Sequence, residues 1–328
     1  LYVWPGIDAQ PLDELLPLAS TIAPMTQGLG LEQVMIQGRM AHPPSGSPRD
    51  MVIRLSFQPG GGLTVRLNDT PAEPLRQLDT YTQKVVRARR RGLVYPYEIF
   101  PMLTRSEETG PLDAPTGSVV EYDLDDAGNL APVNRPPGGN TAGVVVAVVS
   151  TPTRRYPEGI KRVALVSDPL QALGAVAEPE CRRVMAALDL AEEMRIPVEW
   201  IAVSAGAKIS METGTEHMDW IGRVLRRIIQ FTQARGEINV VVAGINVGAQ
   251  PYWNAEATML MHTRGILVMT PDSAQVLTGK LSLEFSGGVT AEDNFGIGGY
   301  ERIMGPNGQA QYWAPDLSAA CELLLSHY

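Results

Sequence analysis

Two stretches of this sequence run from a strand pattern into a glycine- and alanine-rich turn and then a helix pattern. The first is Trp200-Ile201-Ala202-Val203-Ser204-Ala205-Gly206-Ala207-Lys208-Ile209. The second is Val240-Val241-Val242-Ala243-Gly244-Ile245-Asn246-Val247-Gly248-Ala249-Gln250. Such turns expose backbone N–H groups, and a following helix adds the positive end of its dipole. Two of them aimed at one point make an oxyanion hole for a thioester or enolate oxygen. The same glycines also permit a tight strand–helix turn in any α/β protein, and spacing alone leaves both readings open.

Other chemistries lack their residues. No GxGxxG opens a helix after a strand, no GxxxxGK[ST] occurs, and no GxSxG elbow is present. The histidines, His42, His217, His262 and His327, have no metal-ligand spacing, so no metal site is expected. Cys181 and Cys321 are far apart, which leaves neither a disulfide scaffold nor a zinc motif, and Cys181, in a helix pattern, reads as structural. Glu178, Glu180, Glu192 and Glu193 read as a solvated helix face, and no acid pair stands out for proton transfer. The basic run Lys84, Arg87, Arg89, Arg90 and Arg91 reads as a solvated edge or as attraction for a phosphate-rich ligand or acidic partner.

The chain has 328 residues, is 44% hydrophobic and 19% charged, and carries a net charge of −9. That is a globular balance, and it excludes a global nucleic-acid or anionic-membrane surface. No apolar run reaches the ~20 residues that span a bilayer. No signal peptide opens the chain, so a cytoplasmic location is expected. A start at Leu1 and an end at Tyr328, directly after a helix pattern, predict a piece of something longer.

The elements that must position the turns are α/β in type. Residues 1–118 are Pro-rich, with a short helix expected within Asp13–Leu31. A β-hairpin is expected from Met51–Phe57 and Leu63–Asn68 around Pro59-Gly60-Gly61-Gly62. Residues 105–118 read as an exposed loop and a domain boundary. Residues 119–328 are far more regular. Strands are expected at Val144–Val149, Val163–Val166, Trp200–Val203, Val240–Val242 and Ile266–Met269. Helices are expected at Pro179–Met194, Met218–Phe231, Asn254–His262 and Leu317–Ser326, the last capped by Asp316. Gly305-Pro306-Asn307-Gly308 predicts a hairpin between Tyr300–Met304 and Gln311–Trp313. Strands alternating with helices imply crossover connections.

These residues carry a resemblance. Val94-Tyr95-Pro96-Tyr97-Glu98-Ile99-Phe100 is similar to a Tyr-Asp-x-Pro-Glu-x-Phe segment of the carboxyltransferase domain of biotin-dependent acyl-CoA carboxylases. Asn134-Arg135-Pro136-Pro137-Gly138-Gly139-Asn140-Thr141-Ala142-Gly143 resembles that family's Asn-Arg-x-Pro-Gly-x-Asn-x-x-Gly motif. Tyr156-Pro157-Glu158-Gly159 follows, and Ser204 to Ile209 resembles the Ser-Gly-Ala-Arg-Ile turn. Leu277-Thr278-Gly279, Gly298-Gly299, Asn307-Gly308 and Pro315-Asp316 complete the order. The match covers roughly residues 50–328 and is similar to the N-terminal half of the domain in multidomain acetyl-CoA carboxylases.

The resemblance implies a crotonase-like fold of β-β-α units from about residue 119. It implies carboxyl transfer from carboxybiotin to the α carbon of an acyl-CoA, such as acetyl-CoA to malonyl-CoA in fatty acid biosynthesis. Carried over, enolate stabilisation falls to backbone N–H groups of Gly206 and Ala207 in the first turn and Val247 and Gly248 in the second. Leu170, Gln171, Ala172, Leu173 and Gly174 resemble the loop bordering the CoA adenine, with Arg182, Arg183 and Lys208 as candidates near the CoA. Lys208 stands where the family usually has Arg, which loses a bidentate contact. Biotin is implied on another domain or subunit, with ATP, bicarbonate and Mg at a separate biotin carboxylase domain. Implied partners are the biotin carboxyl carrier and biotin carboxylase domains, the C-terminal half of the carboxyltransferase domain, and a homo-oligomer. The fragment is expected to be inactive alone. Alternatives are another crotonase-like CoA enzyme, a hydratase or decarboxylase, or a non-catalytic scaffold. A hydratase wants glutamates beside the second turn, and the nearest is Glu256.

Overall fold

Apolar–polar alternation puts Met51, Ile53 and Leu55 on one face of a strand, and with Ile36 they form a small core. In the computed structural model, three strands build that antiparallel sheet: β1 (Gln33–Ala41), β2 (Pro48–Gln58) and β3 (Gly62–Asp69), in the order β1-β2-β3. The residues described are 21, 33–41, 48–58, 62–69, 78–104, 117–211, 215–287 and 291–328. The expected hairpin is β2–β3, in register from Met51 opposite Asp69 to Gln58 opposite Gly62. Most of the expected helix at 13–31, the turn at 59–61 and the loop at 105–116 lie outside the described residues. The basic run forms helix α1 (Thr80–Arg90), whose N-cap Asp79 accepts the Thr82 N–H at 2.9 Å.

The chain divides into two compact units between Val94 and Tyr95, earlier than the boundary expected at 118. The reason is helix α2 (Pro96–Thr104), which buries Ile99, Phe100 and Leu103 in the second unit. Pro96 opens it at the position where a missing N–H costs nothing.

In the second unit, β4 (Ser118–Leu124), β5 (Leu130–Pro132), β6 (Val144–Thr151), β7 (Ile160–Ser167), β8 (Val198–Ser204), β9 (Ile238–Val247), β10 (Leu267–Met269), β11 (Ala274–Val276) and β12 (Tyr312–Trp313) form a nine-stranded sheet. The order is β12-β10-β9-β8-β7-β6-β4-β5, with β11 paired to the end of β9. Strands β7, β8, β9 and β10 run parallel, while β6 pairs antiparallel with β4 and β7. Helices α3 (Glu178–Met194), α4 (His217–Gln233) and α5 (Ala249–Thr258) pack on one face. Their apolar stripes meet alternate residues of the central strands, including Val146, Leu165, Trp200 and Val240. Trp200 stacks on Trp253 of α5 with ring centroids 5.6 Å apart. The intervening residues Val145, Val166, Ile201 and Val241 are buried as well. Burial on both faces explains the continuous β-branched runs. Short helices α6 (Lys280–Phe285) and α7 (Phe295–Gly298) precede a final helix, α8 (Leu317–His327). Asp316 caps α8 by accepting the Ala319 N–H at 2.8 Å.

One expected element is corrected. Residues Tyr300–Met304 form a helical turn, and β12 pairs in parallel with β10, so no hairpin spans 300–313. The local turn residues are present, but the pairing is decided by a strand distant in sequence. The helix expected at Asn254–His262 starts earlier, at Ala249, directly after the second glycine turn.

Candidate functional site

Strands β7, β8 and β9 end at one edge of the sheet, the edge where open α/β sheets hold ligands. Gly174, Gly206 and Gly248 lie there, with φ of 71°, 90° and 62°. A Cβ on Gly174 would sit 2.3 Å from the Val203 carbonyl oxygen, and one on Gly206 3.2 Å from that of Val247. One on Gly248 would sit 3.7 Å from the Gly206 Cα. The three turns therefore lie side by side, and only glycine allows the closest approach. The Val176 N–H donates to the Gly206 carbonyl and the Lys208 N–H to the Val176 carbonyl, both at 2.8 Å, pinning the first turn to the segment after Gly174.

Backbone donors can then be accounted for one by one. The Gly206 N–H donates to Ser204 Oγ at 3.1 Å. The Gly248 N–H donates to the Val276 carbonyl at 2.9 Å. These two expected donors are thus engaged inside the protein, because Ser204 folds back over its own turn and β11 continues the ladder past the end of β9. Val247 lies in β9 opposite Val276, and its carbonyl faces Gly206. The Ala207 N–H has no protein acceptor among the described residues; its neighbours make both bonds of the bridge to Val176. Helix α5 begins at Ala249 with no side-chain cap, so the N–H groups of its first turn are open. The arrangement offers Ala207 and the start of α5 as donors rather than Gly206 and Gly248.

Residues the sequence reading passed over hold these turns in place. Ala172, Leu173 and Gly174 are consecutively left-handed, and roughly 1–2 kcal/mol opposes that conformation at each residue with a Cβ. Buried Asp168 offsets it. Its Oδ1 accepts the Leu170 N–H at 2.9 Å and its Oδ2 the Asn140 Nδ2 at 2.9 Å, while Gln171 Nε2 donates to the Ala142 carbonyl at 3.0 Å. Leu173 is left 53% exposed, an apolar side chain held in solvent beside the glycine turns. Glu180 is not on a solvated face: it is buried and accepts the Gly143 N–H at 2.8 Å and the Ala177 N–H at 2.9 Å. Under the second turn, Gln250 Nε2 donates to Asn254 Oδ1 at 2.9 Å, and Asn254 Nδ2 donates to Gln275 Oε1 at 2.7 Å. A fully buried amide chain of this kind ties α5 to β11. Asn140 stood in a quoted motif, but Asp168 carried no signal beyond its place after a strand.

The basic candidates separate. Arg183 is paired with Asp123 at 2.7 Å. Arg182 is half exposed, paired with Glu178 at 2.7 Å and lying 4.9 Å over the Trp220 ring. Lys208 is exposed beside Ala207. The two cysteines, His217 and His262 are buried or engaged. Burial pushes the Cys181 thiol up to about 12, and Cys321 is also buried and raised. His217 Nδ1 accepts the Glu178 N–H at 3.2 Å, and His262 bonds Thr232 at 3.0 Å. Among the described residues no cluster could hold a metal.

Burial opposes charge on Asp123, but hydrogen bonds from Arg135 and the Leu124 N–H, with the Arg183 charge, outweigh it. They hold its carboxyl below the ordinary aspartate range. The unfolded chain therefore binds this proton first as the pH falls. The stabilisation is full above about pH 4 and is lost as the pH drops through the lower folded value. The thermal midpoint of the chain is expected to fall more steeply below about pH 4 than that of Asp123→Asn. Parallel pH profiles would contradict this account.

No family model matches the chain. Over 167 residues it is 26% identical to the acetyl-CoA carboxylase dmxL1 of Cryptosporiopsis sp., a span of 46% of this chain and 7% of that protein. Over 91 residues it is 31% identical to the acetyl-CoA carboxylase of Schizosaccharomyces pombe, covering 28% of this chain and 4% of that one.

Part of the chain is thus similar to a small part of acetyl-CoA carboxylases.

The chain also superposes on the beta subunit of a Pseudomonas aeruginosa geranyl-CoA carboxylase, with a TM-score of 0.55 and 16% identity. The superposition covers 75% of this chain and 41% of that subunit. It shows the fold, which is crotonase-like, as the sequence resemblance implied. The matched spans are only 7% and 4% of the two acetyl-CoA carboxylases. No described helix is long and apolar enough to cross a membrane.

Proposed function

We propose that this chain holds the acyl-CoA side of a biotin-dependent carboxyltransferase. The observation that carries the reading is the pair of open donor positions, Ala207 and the start of α5, on glycine turns that touch each other. Carboxylation at the carbon next to a thioester builds negative charge on the thioester oxygen. Fixed N–H donors aimed there are worth about 3–4 kcal/mol each. Similarity to acetyl-CoA carboxylases supports the same reading. The strained loop Leu170–Gly174 and exposed Leu173 form the adjoining wall, and Lys208 and Arg182 supply local positive charge for phosphates. Carboxybiotin, when bound, supplies the carboxyl group and a base in its ureido nitrogen. The residues present fit that division: the thioester side has donors, and no histidine or carboxylate on the turns stands ready to take a proton. This chain's own part is to bind the thioester, orient its α carbon and stabilise the oxygen.

The test compares acetyl-CoA with S-ethyl-CoA, a thioether without the carbonyl, by titration calorimetry on the chain. Acetyl-CoA is expected to bind about tenfold more tightly, the worth of one hydrogen bond or slightly more. Equal affinities would remove the oxyanion assignment. The chain alone, given carboxybiotin, is expected to form no carboxylated product, and measurable product would refute that.

A further inference from the structure

We propose that the second unit carries another small-molecule site, an anion pocket at the sheet edge opposite the glycine turns. A cavity of about 400 Å³ opens there. Ile160, Pro197 and Glu237, which stand at or just before the starts of β7, β8 and β9, line it. The glycine turns follow the other ends of these strands, roughly 20 Å away along β8.

Two arginines from different helices face this cavity. Arg195 follows α3 and Arg235 follows α4, with φ of 57° and 71°. A left-handed residue after a helix is ordinarily glycine, because a Cβ is disfavoured there. A cation near a helix C-terminus is favourable in general, but an arginine inside the last turn provides it without that backbone penalty. Here arginine occupies the disfavoured position twice, at one cavity. The carboxylates beside them are already engaged. Glu192 pairs with Arg227, and Glu237 accepts Asn239 Nδ2 at 2.8 Å and lies 3.2 Å from His327 Nε2. Neither Arg195 nor Arg235 has an ion-pair partner among the described residues. Behind them the wall is apolar: Ala191, Ile196 and buried Phe231.

Two unpaired guanidinium forks over an apolar wall suit an oxyanion on a small apolar body, either a carboxylate or a phosphate monoester. The site does not depend on the carboxyltransferase reading. Its test is an NMR titration of the chain with phenyl phosphate and, separately, benzoate. At least one is expected to bind saturably, shifting the amides of Ile196 and Phe231. The tighter of the two identifies the anion class. Arg195→Gly and Arg235→Gly place glycine where the backbone favours it, so folding and the thermal midpoint are expected to hold or rise. Each variant is expected to weaken binding about tenfold. Acetyl-CoA binding is expected to be unchanged in both. No saturable binding of either probe, shifts confined to other residues, or full binding by the double variant would overturn the proposal.

Discussion

Gly248→Pro is expected to lower turnover by about 10²–10³-fold in a carboxylase assembled around this chain, while CoA itself still binds. The size follows from what Gly248 does. Its own N–H is engaged with the Val276 carbonyl, so it is not a donor to substrate. Its φ of 62° turns the chain from β9 into α5 and thereby aims the open N–H groups that begin at Ala249. Proline removes the bond to Val276 and forces φ to about −65°, so the peptide entering the helix must rotate. Gly248→Ala separates the two effects. It keeps the N–H, and its Cβ would find Gly206 Cα at 3.7 Å and the Leu277 carbonyl oxygen at 3.9 Å, which is ordinary contact. Only the backbone then costs, roughly 1–3 kcal/mol for a residue with a Cβ held at φ 62° and ψ −109°, so alanine is expected to fall between wild type and proline. Steady-state kcat and KM on acetyl-CoA read the result. A folded proline variant with wild-type kcat would sink the assignment of this turn.

Much of that geometry was legible before any coordinates. Val144–Val149 and Val240–Val242 announced strands buried on both faces, and Gly206 and Gly248 announced turns at strand ends. What residue patterns do not show is where each N–H goes. Gly248 is engaged because β11, a strand of three residues with no periodicity to read, extends the ladder beside it. Gly206 is engaged because one serine hydroxyl bends back two residues. Arg183 looked free on a helix surface, yet Asp123 reaches it from β4, some sixty residues earlier in the chain. The turn Gly305–Gly308 is a strong local signal, but β12 follows a non-local partner. Strand β1 escaped notice because Gly38 weakens its pattern. Three of these failures share a cause. The partners of Gly248, Arg183 and β12 lie far away in sequence, whereas strand runs and glycine turns are local facts.

Glu199→Gln should destabilise the second unit by about 3–5 kcal/mol, a thermal shift of roughly 6–20 °C for a unit of this size. Arg162 and Glu199 are paired at 3.0 Å with both side chains fully buried. Four of the five guanidinium N–H groups are used: besides Glu199 they donate to Thr151 Oγ1 at 2.8 Å and to the carbonyls of Ile160 and Leu103 at 2.9 and 2.8 Å. It therefore joins β7, the end of β6 and the last turn of α2. Glu199 Oε2, by contrast, has no partner, so the pair is not fully compensated. Neutralising the glutamate leaves a buried cation with only dipoles around it, and that is the expensive state. An apolar replacement of both, Arg162→Met with Glu199→Leu, is expected to recover most of the loss, because a buried ion pair rarely outweighs its own desolvation. It would not restore the bonds to Thr151 and Leu103, so α2 is expected to detach more readily, seen as faster amide exchange at Phe100–Thr104. Urea unfolding of the three proteins measures the cycle. A loss under about 1 kcal/mol for Glu199→Gln would mean that water reaches the pair, and that this side of the sheet is looser than its burial implies.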